Sequence, residues 1–141
     1  MLGLEPLLRA RLADVSGLVG VHGAPELADH GGGGQEMPCA FVVWAGYRVR
    51  EAAGSGKVAR VDSRWHVVLV VKNTDGQSDG QAARADADVL LRALLSRLLG
   101  WLPGAGYSPL VLADDAPRPT FRGGLLRFPI AVTSTVVVKG D

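Results

Sequence analysis

The stretch Arg60-Val61-Asp62-Ser63-Arg64-Trp65-His66-Val67-Val68-Leu69-Val70-Val71-Lys72 decides the fold. In an extended chain successive side chains point to opposite sides, so Val61, Trp65, Val67, Leu69 and Val71 share one face. Asp62, Arg64 and His66 begin the other face, which turns apolar at Val68 and Val70. The stretch therefore reads as a long strand, polar on its second face at one end and apolar on both faces at the other. That pattern implies partial cover of the second face, by a helix or by a neighbouring subunit.

Upstream, Cys39 to Ala45 is a nearly continuous apolar run and reads as a strand buried on both faces. Between the two strands, Gly46 to Ala59 is polar, basic and rich in glycine. Hairpin loops usually take about 2–5 residues, so this segment reads as a long surface loop. Its Tyr47-Arg48-Val49-Arg50 has the aromatic and arginine content of an interface, and a plain surface loop is an equal reading. Further upstream, Leu4, Leu7, Leu8, Leu12 and Val15 fall at helical spacing, with Pro6 tolerated in the first turn. Residues 16 to 37 read as mostly irregular, with a short helical turn at Pro25 to Asp29 and a flexible connector at Gly31 to Gly34.

Downstream, Asn73-Thr74-Asp75-Gly76 carries turn chemistry. Asp79 to Leu99 is the clearest helix, with an apolar stripe from Ala83 through Ala87, Leu90, Leu91, Leu94 and Leu95 to Leu98. Gly100 is its stop signal. Ser108 to Ala113 reads as a short strand, and Asp114 to Pro119 as a loop. Leu125 to Val138 reads as a long strand with good alternation. Its Pro129 cannot donate a ladder hydrogen bond and so predicts a local edge or bulge. The order is α-β-β-α-β-β. It predicts an α+β fold: one four-stranded, mainly antiparallel or mixed sheet with both helices packed on one face, in a single domain over residues 1–141.

Composition bounds the function. Fifteen basic and fourteen acidic residues leave a net charge of +1, and no stretch carries a block of like charge, which argues against nucleic-acid binding as the main task. The apolar runs fall far short of the ~20 residues of a membrane span. The first residues lack the basic and apolar regions of a secretory signal, which predicts a cytoplasmic protein. The single cysteine, Cys39, reads as a small buried hydrophobe at the start of a strand.

The sequence offers little chemistry. His22, His30 and His66 form no close pair, so no metal site is expected. Gly54-Ser55-Gly56-Lys57 resembles a phosphate loop only in part. Glu51 stands where the first glycine belongs and Val58 where a serine or threonine should follow, so a hairpin tip is the better reading. Ser63 and His66 lie three apart on a strand and face opposite ways, which excludes a nucleophile–base pair. Asp114-Asp115 reads as a solvated turn, and Trp44, Trp65 and Trp101 as core anchors or interface residues. No enzymatic activity and no cofactor are expected.

The opening helix Leu4-Glu5-Pro6-Leu7-Leu8-Arg9-Ala10-Arg11-Leu12 and the approach Val19-Gly20-Val21-His22-Gly23 resemble those of the tail-terminator, or tail-completion, proteins of Mu-like contractile-tailed phages and prophages. So do the strand from Trp65 to Asn73, the alanine- and leucine-rich helix ending in Leu99-Gly100-Trp101-Leu102-Pro103, and the closing strand from Leu125. The resemblance covers nearly the whole chain and implies a structural protein of the virion tail, assembled in the host cytoplasm. It implies a homo-oligomeric ring, a hexamer, that caps the tail tube, ends polymerisation and offers a surface to sheath and neck proteins. It implies no membrane partner and no sequence-specific nucleic acid, with genome DNA passing through the ring. Tyr47, Arg48, Arg50, Val68 and Val70 are the candidate residues for contacts with neighbouring subunits, tube or sheath. The alternatives are a head–tail joining or neck protein and, in a different class, a small α+β enzyme or ligand-binding module.

Overall fold

The computed structural model describes residues 1–23, 36–72 and 81–141, the side chains of 81–83 excepted. In chain order the elements are α1 (Leu4–Leu12), β1 (Gly20–Gly23), β2 (Cys39–Ala53), β3 (Val58–Lys72), α2 (Gln81–Leu98), β4 (Val111–Ala113), β5 (Thr120–Arg122) and β6 (Leu125–Lys139). The turns of helix and connector expected between residues 25 and 34, the turn at 73–76 and the helix start at Asp79 lie outside the described residues.

The six strands form one sheet in the order β1-β2-β3-β6-β4, with β5 also paired to β6. β1 runs parallel to β2 and every other pair is antiparallel. The α+β class and the two helices agree with the sequence reading, but the four-stranded sheet and its order do not. The additions are β1 and β5. Four residues with glycine at both ends, and three residues of Thr-Phe-Arg, are too short to show a strand period, and backbone pairing to β2 and β6 creates them instead.

The expected long loop from Gly46 to Ala59 is the second correction. β2 continues to Ala53, and the link to β3 is the tight turn Gly54 to Lys57. Two bulges allow this. The register moves from Trp44↔Trp65 to Tyr47↔Ser63 and from Val49↔Val61 to Glu51↔Arg60, so β2 holds one extra residue at each place. Gly46 sits in the first bulge at φ +88°, a conformation that costs glycine least. At the tip, Gly54 and Ser55 both have φ near +59°, and the Gly56 N–H donates to the Ala53 carbonyl, the geometry that matches the twist of paired strands.

Both helices pack on one face of the sheet. α1 places Leu4, Leu8 and Leu12 four residues apart, fully buried, and α2 adds Ala87, Leu90, Leu94 and Leu98. Leu7 is partly exposed. They meet Ala40, Val42, Trp65, Val67, Leu69, Val71, Leu126, Ile130 and Val132, the alternate residues of β2, β3 and β6. Each fully buried side chain of this kind stabilises the fold by about 1.5–3 kcal/mol. Arg11 joins the helices: its Nε donates to the Arg97 carbonyl at 3.0 Å, its guanidinium lies 5.4 Å from the Trp101 ring centroid, and Arg97 pairs with Asp14 at 2.9 Å. Pro129 sits where β6 has a local edge, because β5 pairs residues 125–127 and β4 pairs residues 131–133.

Strand length and helix length do not match. Fifteen strand residues span roughly 50 Å, whereas the 9 and 18 residues of α1 and α2 span about 14 and 27 Å. β2, β3 and β6 stay paired over their full length. Their far halves therefore form a three-stranded arm beyond the helices.

Candidate functional site

The arm is where exposed side chains gather. On its helix-side face Tyr47, Val49 and Val138 are 55 %, 57 % and 43 % exposed, although residues of the same register nearer the helices are buried. Its core stops at a buried hydroxyl. The indole N–H groups of Trp44 and Trp65 both donate to Ser63 Oγ, at 3.3 and 3.1 Å, and Ser63 is fully buried. The three tryptophans thus divide: Trp65 is core, Trp44 is about one-third exposed, and Trp101 is half-buried under Arg11.

The opposite, far face of the sheet changes character along β3. At the helix end Cys39, Phe41, Val68 and Val70 form a second buried cluster with Met37, Val43 and Leu125. Val68 and Val70, candidates for contact with other subunits, are covered within the subunit, at 9 % and 0 % exposure. Burial pushes the Cys39 thiol up to about 11, as its reading as a buried hydrophobe requires. His66 marks the boundary. Burial and the neighbouring Arg64 lower its pKa while Asp115 raises it, and its buried Nε2 has no hydrogen-bond partner among the described residues. Ser63 and His66 do face opposite ways.

Beyond His66 the far face is a ladder of charges. Asp115, on the loop after β4, pairs with both Arg64 and Arg48, the latter at 3.6 Å. The Asp114-Asp115 turn is therefore not simply solvated, because one of its carboxylates ties the loop to the arm. Asp62 lies opposite Arg48 in register, pairs with Arg50 Nε at 3.3 Å and accepts a hydrogen bond from Thr135 Oγ1 at 2.8 Å. Arg60 pairs with Glu51 at 3.1 Å. The sequence placed Tyr47, Arg48 and Arg50 in a loop. The structure puts them on β2, with Arg48 and Arg50 on the charged face and Tyr47 on the face that continues the core. Sequence reading missed Asp62, Arg64 and Asp115 as their partners, because the pairing depends on a bulge and on a loop that crosses two strands. No group of three or more potential metal ligands occurs among the described residues.

A family model described as phage tail terminator protein matches residues 1–139. The chain belongs to the phage tail terminator family. No curated protein matches it. Membership makes it a structural component of the phage tail that acts in virion assembly and associates with other tail components. The family is structural rather than enzymatic. No helix among the described residues is long and apolar enough to cross a membrane. For a tail terminator the surface of interest is one that meets other protein chains, and the arm is one part of this molecule that carries exposed apolar and charged groups side by side.

Proposed function

We propose that this chain forms a ring, a hexamer, that seats on the last layer of the tail tube, stops further polymerisation and presents its other side to the neck, with the sheath end engaged in a contractile tail. The protein makes and breaks no bond in this role. It needs one face that mimics the next tube subunit and another that does not.

The observation that carries this reading is the arm. Beyond Val42 the outer edge of β2 pairs with no strand among the described residues, and Tyr47, Arg48, Val49 and Arg50 lie exposed along it. An open strand edge is a template for pairing with another chain. The other border of the sheet is different, built of the short strands β4 and β5 with Val111, Leu112 and Phe121 exposed. Two unlike borders suit head-to-tail contacts, which make a ring where the rotation from one copy to the next closes. A net charge of +1 adds little repulsion between copies.

The test is co-assembly with the cognate tail-tube protein, read by electron microscopy as tube-length distributions. The expected result is shorter tubes with a ring at one end. Unchanged lengths and bare ends would overturn the reading.

A further inference from the structure

The far face of the arm holds a depression that shares only Arg50 with the residues invoked for the ring. Arg50, Arg60, Tyr107, Ser108, Thr135 and Val137 line an open trough of about 510 Å³. Beside it, sharing Arg60 and Val137, is a notch of about 70 Å³ lined also by Glu51, Ala53 and Val58. The trough is built rather than incidental. The Ser108 N–H donates to the Thr135 carbonyl at 3.1 Å, the Thr135 N–H donates to Ser108 Oγ at 2.7 Å, and Ser134 Oγ donates to the Ser108 carbonyl at 2.8 Å, so the wall is stitched to β6.

We propose that this trough and notch bind an acidic segment of a partner tail protein, with a carboxylate between Arg50 and Arg60 and a small aliphatic side chain of the same segment in the notch. The proposal rests on the terminator reading for the source of the partner. Its chemistry comes from the lining. Arg50 meets Asp62 through Nε, and Arg60 meets Glu51 through one Nη nitrogen. Each guanidinium has five N–H donors in a planar fork, so both keep donors for a second carboxylate. Asp62 and Thr135 fix Arg50 from below, which lowers the ordering cost of binding. The arginine side chains are 60 % and 53 % exposed and so remain accessible.

The same lining argues against a nucleic-acid strand. Asp62 and Glu51 balance Arg50 and Arg60, so the trough has no net charge with which to displace counterions from a phosphate backbone. A single carboxylate needs only directed donors. The notch floor of Ala53, Val58 and Val137 is aliphatic and suits a side chain, not a sugar or phosphate.

The experiment is an NMR titration of the full chain with short overlapping synthetic peptides covering the cognate tube, sheath and neck proteins. Each acidic peptide is run beside its Asp→Asn, Glu→Gln counterpart, and a short DNA duplex is run as well. The expected result is that an acidic peptide shifts the amide signals of Tyr107, Ser108, Thr135 and Val137 and that its amide counterpart does not. Arg50→Gln and Arg60→Gln should each weaken binding by about tenfold, and Arg92→Gln, on the outer surface of α2, should leave it unchanged. Arg60→Gln serves even if Arg50→Gln disturbs Asp62. No shift from any peptide, equal binding of the amide forms, or tighter binding of the duplex at the same residues would overturn the proposal. Tube capping by wild type and Arg60→Gln alike, without peptide shifts, would overturn the trough and leave the terminator reading standing. Failure of the wild type to cap tubes would remove that reading, and the proposal with it.

Discussion

The two ends of β2, β3 and β6 share backbone, register and pairing, yet carry different burdens. At the helix end Val67, Leu69 and Ile130 are buried under α1 and α2, and the far face is covered as well. In the arm Tyr47, Val49 and Val138 hold the same inward register and stay about half exposed, and the far face carries arginines and carboxylates. Stability is concentrated at one end and contact potential at the other. Substitutions should therefore separate folding from assembly according to position along the same strand.

A pair of side-chain truncations should separate the two regions most clearly. Leu69→Ala, at a fully buried site, should cost about 2–5 kcal/mol in denaturant unfolding. Val49→Ala, on the same sheet face in the arm, should change stability by no more than ~0.5 kcal/mol. Equal losses would mean that the arm is part of the folding core. The border between the regions is next. Ser63→Ala leaves two indole N–H groups without their shared acceptor and should cost about 1–3 kcal/mol. No loss would show that the hydroxyl does not hold the two tryptophans in place.

A smaller effect concerns pH. His66 has a folded pKa below its ordinary value of 6.5, so the unfolded chain binds the proton more readily. Its contribution is constant above about 6.5 and is lost as pH falls below that value towards the folded pKa. Unfolding curves at stepped pH should show this decline, and His66→Gln should remove the histidine part of it. Asp115→Asn removes the group that raises the His66 pKa, so an NMR titration should find that pKa lower still. A rise would contradict the arrangement of Arg64, Asp115 and His66.

These regions were not equally legible in the sequence. The helix end was, because burial imposes a period: β3 alternates, β6 alternates around Pro129, and the leucines of α1 and α2 recur at helical spacing. The burial of Val68 and Val70 inside the subunit was not, since an apolar second face says that something covers it without saying what. The arm was misread for a physical reason. Glycine and polar residues that usually mark a loop are absorbed here by two bulges, so β2 stays paired through Gly46 and Arg50. Tyr47, Arg48 and Arg50 could be singled out by composition alone. Their partners Asp62, Arg64 and Asp115 required the register. β1 and β5 exist through pairing, which no local pattern encodes.

We propose that the arm serves assembly while the helix end serves the fold. The most direct test is the triple variant Tyr47→Ala, Arg48→Ala, Arg50→Ala, followed in parallel by thermal unfolding and by tube capping with the cognate tail-tube protein. The expected result is a melting transition that stays cooperative and close to that of the wild type, together with loss of capped tubes. Capping that survives in the variant would contradict it, and would move the contact surface away from the arm.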